Sequence, residues 1–242
     1  MTGVLLDGKA LARALEEPVA ARVRRLLQRG GGPPALAILL AGAGAASVRY
    51  ARMKADACRR VGIAPRDISL PATVTTAELL AVIDRLNRDP QMHGIFLQYP
   101  LPGQVDERRC FDQIAVDKDV GGDSTASLGR LLVGERAFVS ATPAGIMRLL
   151  SGYGIPLAGK AAVVVGQGPM LGKPLAILLL AADATVTLCH SRTPHLPAVV
   201  GSADLVVGAA GRPGVVDGSW IRDGAVVIDA GYHPGGVGDV NR

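Results

Sequence analysis

Two stretches of this chain place side chains where a small-molecule site can be built: Ser47-Val48-Arg49-Tyr50-Ala51-Arg52-Met53-Lys54 and Gly94-Ile95-Phe96-Leu97-Gln98-Tyr99-Pro100-Leu101-Pro102. On a helix, Ser47, Tyr50 and Lys54 stand at i, i+3 and i+7 and project from one face, so one face can serve one ligand. Read alone, these residues also admit a bland account. Lys54 would be solvated, Tyr50 half-buried packing, and Gln98 a strand-end residue before a turn stiffened by Pro100 and Pro102.

A second constellation is built for phosphate. Gly166-Gln167-Gly168-Pro169-Met170-Leu171-Gly172 follows an apolar run and precedes a helical segment at Lys173 to Leu180. Glycines there let the backbone approach a pyrophosphate, and a helix N-terminus offers free N–H groups and partial positive charge. The motif is one residue longer than the usual fingerprint, and a plain strand-to-helix turn would also accommodate it. The end of the next strand, where a dinucleotide fold reads the adenosine ribose, carries His190-Ser191-Arg192-Thr193 and no acid. An acid there would take the 2′-hydroxyl of NAD, whereas Ser191 and Arg192 accommodate a 2′-phosphate, so NADP is expected, with NAD as the alternative.

These residues need elements to hold them. Lys9 to Gln28 has helical apolar spacing that Pro18 is expected to interrupt, and Gly30 to Pro34 breaks it. Leu36 to Leu40 reads as a buried parallel strand. The helix bearing Tyr50 and Lys54 is expected to end near Gly62. A short strand follows at Asp67 to Leu70, a helix at Thr76 to Arg88 after a Thr-rich cap, and a strand at Gly94 to Gln98. Asp117 to Leu132 is glycine-rich and non-periodic, which predicts a loop near a site or at a domain edge. Thr142-Pro143 is expected to open a helix, with Thr142 as N-cap. Strands are then expected at Ala161 to Val165, Thr185 to Leu188, Leu205 to Val207 and Ala225 to Ile228. Such alternation means βαβ units with largely parallel sheets: an α/β chain whose boundary falls near Ser140, giving domains 1–140 and 141–242.

At 242 residues with 49% apolar content and mean hydropathy +0.30, the chain can bury a sizeable core. No apolar run is long enough for a membrane span, and no signal-like leader opens it, so a soluble, cytoplasmic protein without membrane contact is expected. Cys58, Cys110 and Cys189 are odd in number and widely spaced, which suits a reducing compartment and speaks against a metal site. The net charge of +5 is spread out and aromatics are only 3%, so no nucleic-acid surface is expected. Solvated faces, or a basic groove for a polyanionic small ligand, account for the charge.

The order of motifs resembles one family, the bifunctional methylenetetrahydrofolate dehydrogenase/methenyltetrahydrofolate cyclohydrolases. Besides the stretches above, the resemblance rests on Asp7-Gly8-Lys9, Asp117-Lys118-Asp119-Val120, Thr142-Pro143-Ala144-Gly145, Gly172-Lys173-Pro174 and Cys189 through Thr193. Ala203-Asp204, Ala210-Gly211-Arg212-Pro213 and Val227 through Gly231 extend it over nearly the whole chain. It implies an N-terminal folate-type domain, a C-terminal Rossmann-like doubly wound domain, a cleft between them and a homodimer. By the same resemblance Lys54 is the acid/base group of cyclohydrolysis, Gln98 holds and tunes it, and Tyr50 packs against the folate. Ser47, Pro100, Leu101 and position 121 complete the substrate site. Thr142, Gly166, Gln167, Gly168, Gly172, Lys173, Pro174, His190, Ser191, Arg192, Thr193, Ala210, Gly211 and Pro213 are assigned to the cofactor. A lysine among apolar neighbours has its pKa lowered, which suits a proton shuttle, while hydride transfer asks the protein mainly for orientation.

The chain departs from the family pattern at two places. Where the family reads Lys-Asp-Val-Asp-Gly, this chain reads Lys118-Asp119-Val120-Gly121-Gly122, so the carboxylate the resemblance assigns to the pterin edge is a glycine. Ser127 stands for the family's asparagine. Asp123, carried on a flexible Gly-Gly hinge, is a candidate substitute. Gly121 equally fits a divergent relative that binds nucleotide or folate as a regulatory or oligomeric protein, or a dehydrogenase for another small substrate. The family also continues beyond the position of Arg242 through a loop and a helix. His233 to Val237 is expected to be the hairpin before Gly238-Asp239-Val240, with apolar surface left for another cover such as a partner subunit.

Overall fold

The continuous apolar runs at 35–41 and 161–165 become inner strands of two parallel sheets, because a strand covered by helices on both faces has no polar side to show. The computed structural model describes residues 3–42, 44–231, 233 and 236–241. The chain folds as two compact units, Met1–Arg130 and Leu131–Arg242.

In the first unit the order is α1 (Gly8–Gln28), β1 (Ala35–Ala41), α2 (Ala45–Arg60), β2 (Ala64–Leu70), α3 (Thr76–Arg88), β3 (Gly94–Leu97) and α4 (Glu107–Gln113), and α5 (Thr125–Leu132) runs across the division in the chain. The sheet order is β2-β1-β3, with Leu39 opposite both Ile68 and Leu97. Ile38 and Leu40 pack on Ala51 and Ala55, small residues that let α2 lie close to the sheet, and Phe96 borders the same cluster. Asp7 caps α1 by accepting from the Lys9 and Ala10 amides, at 2.9 and 3.0 Å. Contrary to the expected interruption, α1 runs through Pro18 without a break. Thr75 and Glu78 form a capping box at α3, the Thr-rich start read from the sequence.

The segment before α5 departs most from expectation. Ile95 N donates to Lys118 O at 2.7 Å and Ile95 bridges Asp119 in parallel, so 118–119 lies against β3. Gly94 makes this possible, since a Cβ there would lie 2.7 Å from Val120 Cγ1. Lys118 Nζ donates to the carbonyls of Leu86, Asn87 and Asp89, where α3 leaves C-terminal carbonyls unpaired. Residues 125–132, expected as loop, are helical: Ser124 Oγ accepts from Ser127 N at 3.1 Å, starting the helix as a cap does.

The second unit holds α6 (Ala141–Gly152), β4 (Ala161–Val165), α7 (Gly172–Ala181), β5 (Thr185–Cys189), α8 (Leu196–Gly201), β6 (Leu205–Gly208), β7 (Val216–Asp217), a 3-10 turn (Gly218–Trp220), β8 (Val226–Asp229) and β9 (Val240–Asn241). Its main sheet runs β5-β4-β6-β8, all parallel, with Val165 opposite Cys189 and Gly208. The N-cap of α6 is Ser140, not Thr142; Thr142 and Pro143 sit in the first turn, where a missing N–H costs nothing. The expected hairpin at 233–237 falls partly outside the described residues, since 234 and 235 are not among them.

Candidate functional site

In the first unit α2 and the C-terminal end of β3 bring Lys54 and Gln98 together across 44 residues of chain. Lys54 Nζ donates to Gln98 Oε1 at 2.8 Å, and Gln98 Nε2 donates to the Tyr99 carbonyl at 2.8 Å, which fixes the amide with its oxygen toward the lysine. Lys54 Nζ lies 4.2 Å from the Phe96 ring centroid and 5.9 Å from that of Tyr50, both within cation–π range. Burial pushes the Lys54 ammonium below the usual lysine range, and the charge of Asp123 opposes that shift. Tyr50 is 43% exposed, so its ring is available to stack on a ligand. Ser47 shares the helix with both, the Tyr99–Pro100 peptide is cis, and Leu101 is half-buried.

The loop after Lys118 reaches this side of the unit rigidly. Asp119, 1% exposed, accepts from the amides of Gly122 at 3.1 Å, Asp123 at 3.4 Å and Ser124 at 3.0 Å, and from Ser127 Oγ at 2.7 Å. Gly121-Gly122 is therefore no flexible hinge: Gly122 takes φ +66 to wrap the backbone round one carboxylate. Ser127, where the family pattern has asparagine, is a buried link in this network. Asp123 follows, 6% exposed.

In the second unit the motif after β4 makes a cradle. Gly166 has φ +126 and no room for a Cβ against the Ala209 carbonyl, while a Cβ on Gly172 would run into the Gly166 carbonyl. A Cβ on Gly168 would meet nothing within 4 Å, so there the backbone faces open space. Lys173 N donates to Gly168 O at 3.1 Å, and Pro174 is buried in the first turn of α7. A cavity of about 470 Å³ opens at the C-terminal ends of the strands. Gly166, Gln167, Gly168, His190, Ser191, Thr193 and Ala210 line it, together with Val165, Leu196, Ala209, Arg212 and Val215. Arg212 is the lining residue with chemistry that motif reading passed over. Its neighbours Gly211 and Pro213, like Thr142, Gly172, Lys173, Pro174 and Arg192, are not in that lining, and Arg192 is exposed beside it.

The turn at 190–193 is closed by His190 N on Thr193 Oγ1 at 2.9 Å and Arg192 N on His190 Nδ1 at 3.1 Å. Asp239, fully buried, accepts from the amides of Ala210 and Gly211 at 2.6 and 2.8 Å and pairs with His233 Nε2 at 2.8 Å. Its bond to Ala210 holds a lining residue of the cavity from 29 residues downstream. Open backbone at Gly168, Arg212 in the lining and no carboxylate among the described lining residues fit a phosphate-bearing nucleotide.

Known proteins resemble this chain over nearly its whole length. Residues 6–121 match the profile described as tetrahydrofolate dehydrogenase/cyclohydrolase, catalytic domain, and residues 140–242 that of its NAD(P)-binding domain. The chain is 58% identical over 241 residues to the bifunctional protein FolD of Acidobacterium capsulatum and 54% identical over 240 residues to that of Cellvibrio japonicus; in each case 99% of this chain and 86% of the relative are covered. Among solved structures, the bifunctional FolD methylenetetrahydrofolate dehydrogenase/cyclohydrolase of Campylobacter jejuni matches with TM-score 0.95 at 37% identity, over 98% of this chain and 86% of that one. The Trypanosoma brucei enzyme, complexed with NADP cofactor and inhibitor, matches with TM-score 0.93 at 37% identity, over 99% and 86%.

Proposed function

Because the chain belongs to the tetrahydrofolate dehydrogenase/cyclohydrolase family, we propose that it oxidises 5,10-methylenetetrahydrofolate to the methenyl form with NADP and hydrolyses that product to 10-formyltetrahydrofolate. Residues 1–140 form the folate-type catalytic domain and 141–242 the NADP domain. The observation that carries the reading is the Lys54–Gln98 pair: a half-buried amine held by a neutral amide beside an exposed tyrosine ring.

In the oxidation, NADP supplies a hydride acceptor, and the protein's part is orientation. Gly166, Gln167 and Gly168 bring backbone to the phosphates, Arg212 and Arg192 offer charge to the 2′-phosphate, and Asp239 keeps the Ala210–Gly211 backbone in place. Tyr50 stacks on the folate, and Ser47, Pro100 and Leu101 border it. In the hydrolysis, water oxygen bonds to the methenyl carbon. Neutral Lys54 takes a proton from that water and returns one to N5 as the carbon–N5 bond breaks. The second water proton leaves to solvent, and the cationic methenyl substrate becomes the neutral formyl product. A lysine at its ordinary pKa would hold its proton too firmly; burial lowers it toward the working pH.

The protein acts in the cytoplasm, where its free Cys58, Cys110 and Cys189 stay reduced, and as a homodimer, which light scattering checks. Among the described residues no helix is long and apolar enough to cross a membrane. A paired spectroscopic assay tests the function. Reduction of NADP, then NAD, is followed with methylenetetrahydrofolate, and loss of methenyltetrahydrofolate is followed separately, each beside Lys54→Ala. Hydrolysis that needs Lys54 is expected; no turnover above the variant overturns the reading.

A further inference from the structure

One buried carboxylate oxygen in the first unit has nothing to hold. Asp123 Oδ1 is shut off from solvent and has no hydrogen-bond partner among the described residues. Its neighbour Asp119 shows the contrast, since both of its oxygens are used by loop amides and the Ser127 hydroxyl. Arg108, the nearby cation, gives its guanidinium to the Asp123 carbonyl at 2.7 Å and to Thr125 Oγ1 at 3.4 Å instead of to the carboxylate. A dry, unpaired acceptor is rare in a folded chain, and a donor arriving from outside would satisfy it.

The surroundings indicate which donor. A Cβ on Gly121 would lie 2.7 Å from Asp123 Oδ2, so the carboxylate fills the space where a side chain at 121 would begin. Lys54 is near enough for each charge to act on the other, which puts the carboxylate on the reacting side of the unit. The pyrimidine ring of a reduced folate presents a ring N–H beside an exocyclic amino group, two adjacent donors that match the two oxygens of a carboxylate. We propose that Asp123 recognises that edge of the folate, and that Gly121 is glycine to leave it room. This rests on the function proposed above and names the residue that selects its substrate.

The proposal carries a pH signature. Burial first, then the charge of Asp119, pushes Asp123 up to about 7; Glu107 adds to the rise, while Arg108 and Lys54 oppose it. The carboxylate therefore forms as pH rises through neutrality, and folate should bind more tightly above that point.

The test is equilibrium binding of 5-formyltetrahydrofolate, a stable reduced folate, to the full chain by titration calorimetry, beside binding of NADP. For Asp123→Asn at alkaline pH the expected result is a loss of folate affinity of roughly ten- to hundred-fold, with NADP affinity close to wild type. The neutral-pH step in affinity should vanish with it. Gly121→Asp combined with Asp123→Ala should recover affinity that Asp123→Ala alone loses, which a merely structural role for Asp123 would not produce. Asp123→Asn binding within about twofold of wild type with the pH step intact, or no binding of the folate to wild type, overturns the inference. Absence of turnover in a wild-type chain that binds folate through Asp123 would overturn the proposed reaction and leave the inference standing.

Discussion

Replacing Gln98 by methionine removes the oxygen that holds the Lys54 ammonium at 2.8 Å while keeping side-chain length. A hydrogen bond from a charged donor contributes about 1.5–3 kcal/mol net, and the lower end applies because Lys54 is only half-buried. The bond is made more strongly by the ammonium than by the neutral amine, so its loss lowers the lysine pKa. At about 1.4 kcal/mol per unit, about 1.5 kcal/mol corresponds to a further fall of about one unit. If neutral Lys54 is the base, the acidic limb of kcat/KM for methenyltetrahydrofolate hydrolysis should move about one unit to lower pH. Gln98→Glu should move it the other way, because a carboxylate beside an ammonium raises the lysine pKa. The assay is loss of methenyl absorbance across the pH range in all three proteins. Limbs that coincide in all three, or both variants shifting in one direction, would refute the argument that this contact tunes Lys54.

Gly166→Ala should both destabilise the chain, by about 2–4 kcal/mol for a clash with backbone at positive φ, and remove NADP binding; urea unfolding and a fluorescence titration of NADPH check the two effects. Arg192→Ala should raise the NADP KM about tenfold or more and leave that for NAD unchanged, as expected for a lost charge-assisted contact to the 2′-phosphate. Asp123 lies above its unfolded value in the fold, so the folded state holds its proton more firmly, and stability falls as pH rises from the ordinary carboxylate range to about 7. Asp123→Asn should therefore melt higher than wild type at alkaline pH and about equally at acid pH, as measured by calorimetry; a lower melting temperature at alkaline pH would contradict the buried-carboxylate account.

The sequence by itself determined most of the elements and the family. Leu36 to Leu40 and Ala161 to Val165 are apolar without alternation, which only a doubly covered strand satisfies, and they are inner parallel strands. The Thr-rich start announces α3, and the structure closes it as a capping box between Thr75 and Glu78. Gly166 and Gly172 mark a turn too tight for a Cβ, and Ser47, Tyr50 and Lys54 fall on one helix, α2. Tertiary structure decided what these groups meet. No local rule joins Lys54 to Gln98 across 44 residues, or sets Asp239 beneath Ala210 and Gly211. The glycine-rich stretch at 117–132 reads as loop because its order comes from Asp119, whose carboxylate collects amides and a hydroxyl that no periodicity reveals. The room beside Gly121 and the unpaired oxygen of Asp123 exist only once that turn has closed, since burial and hydrogen-bond satisfaction belong to the packed chain and not to its order of residues.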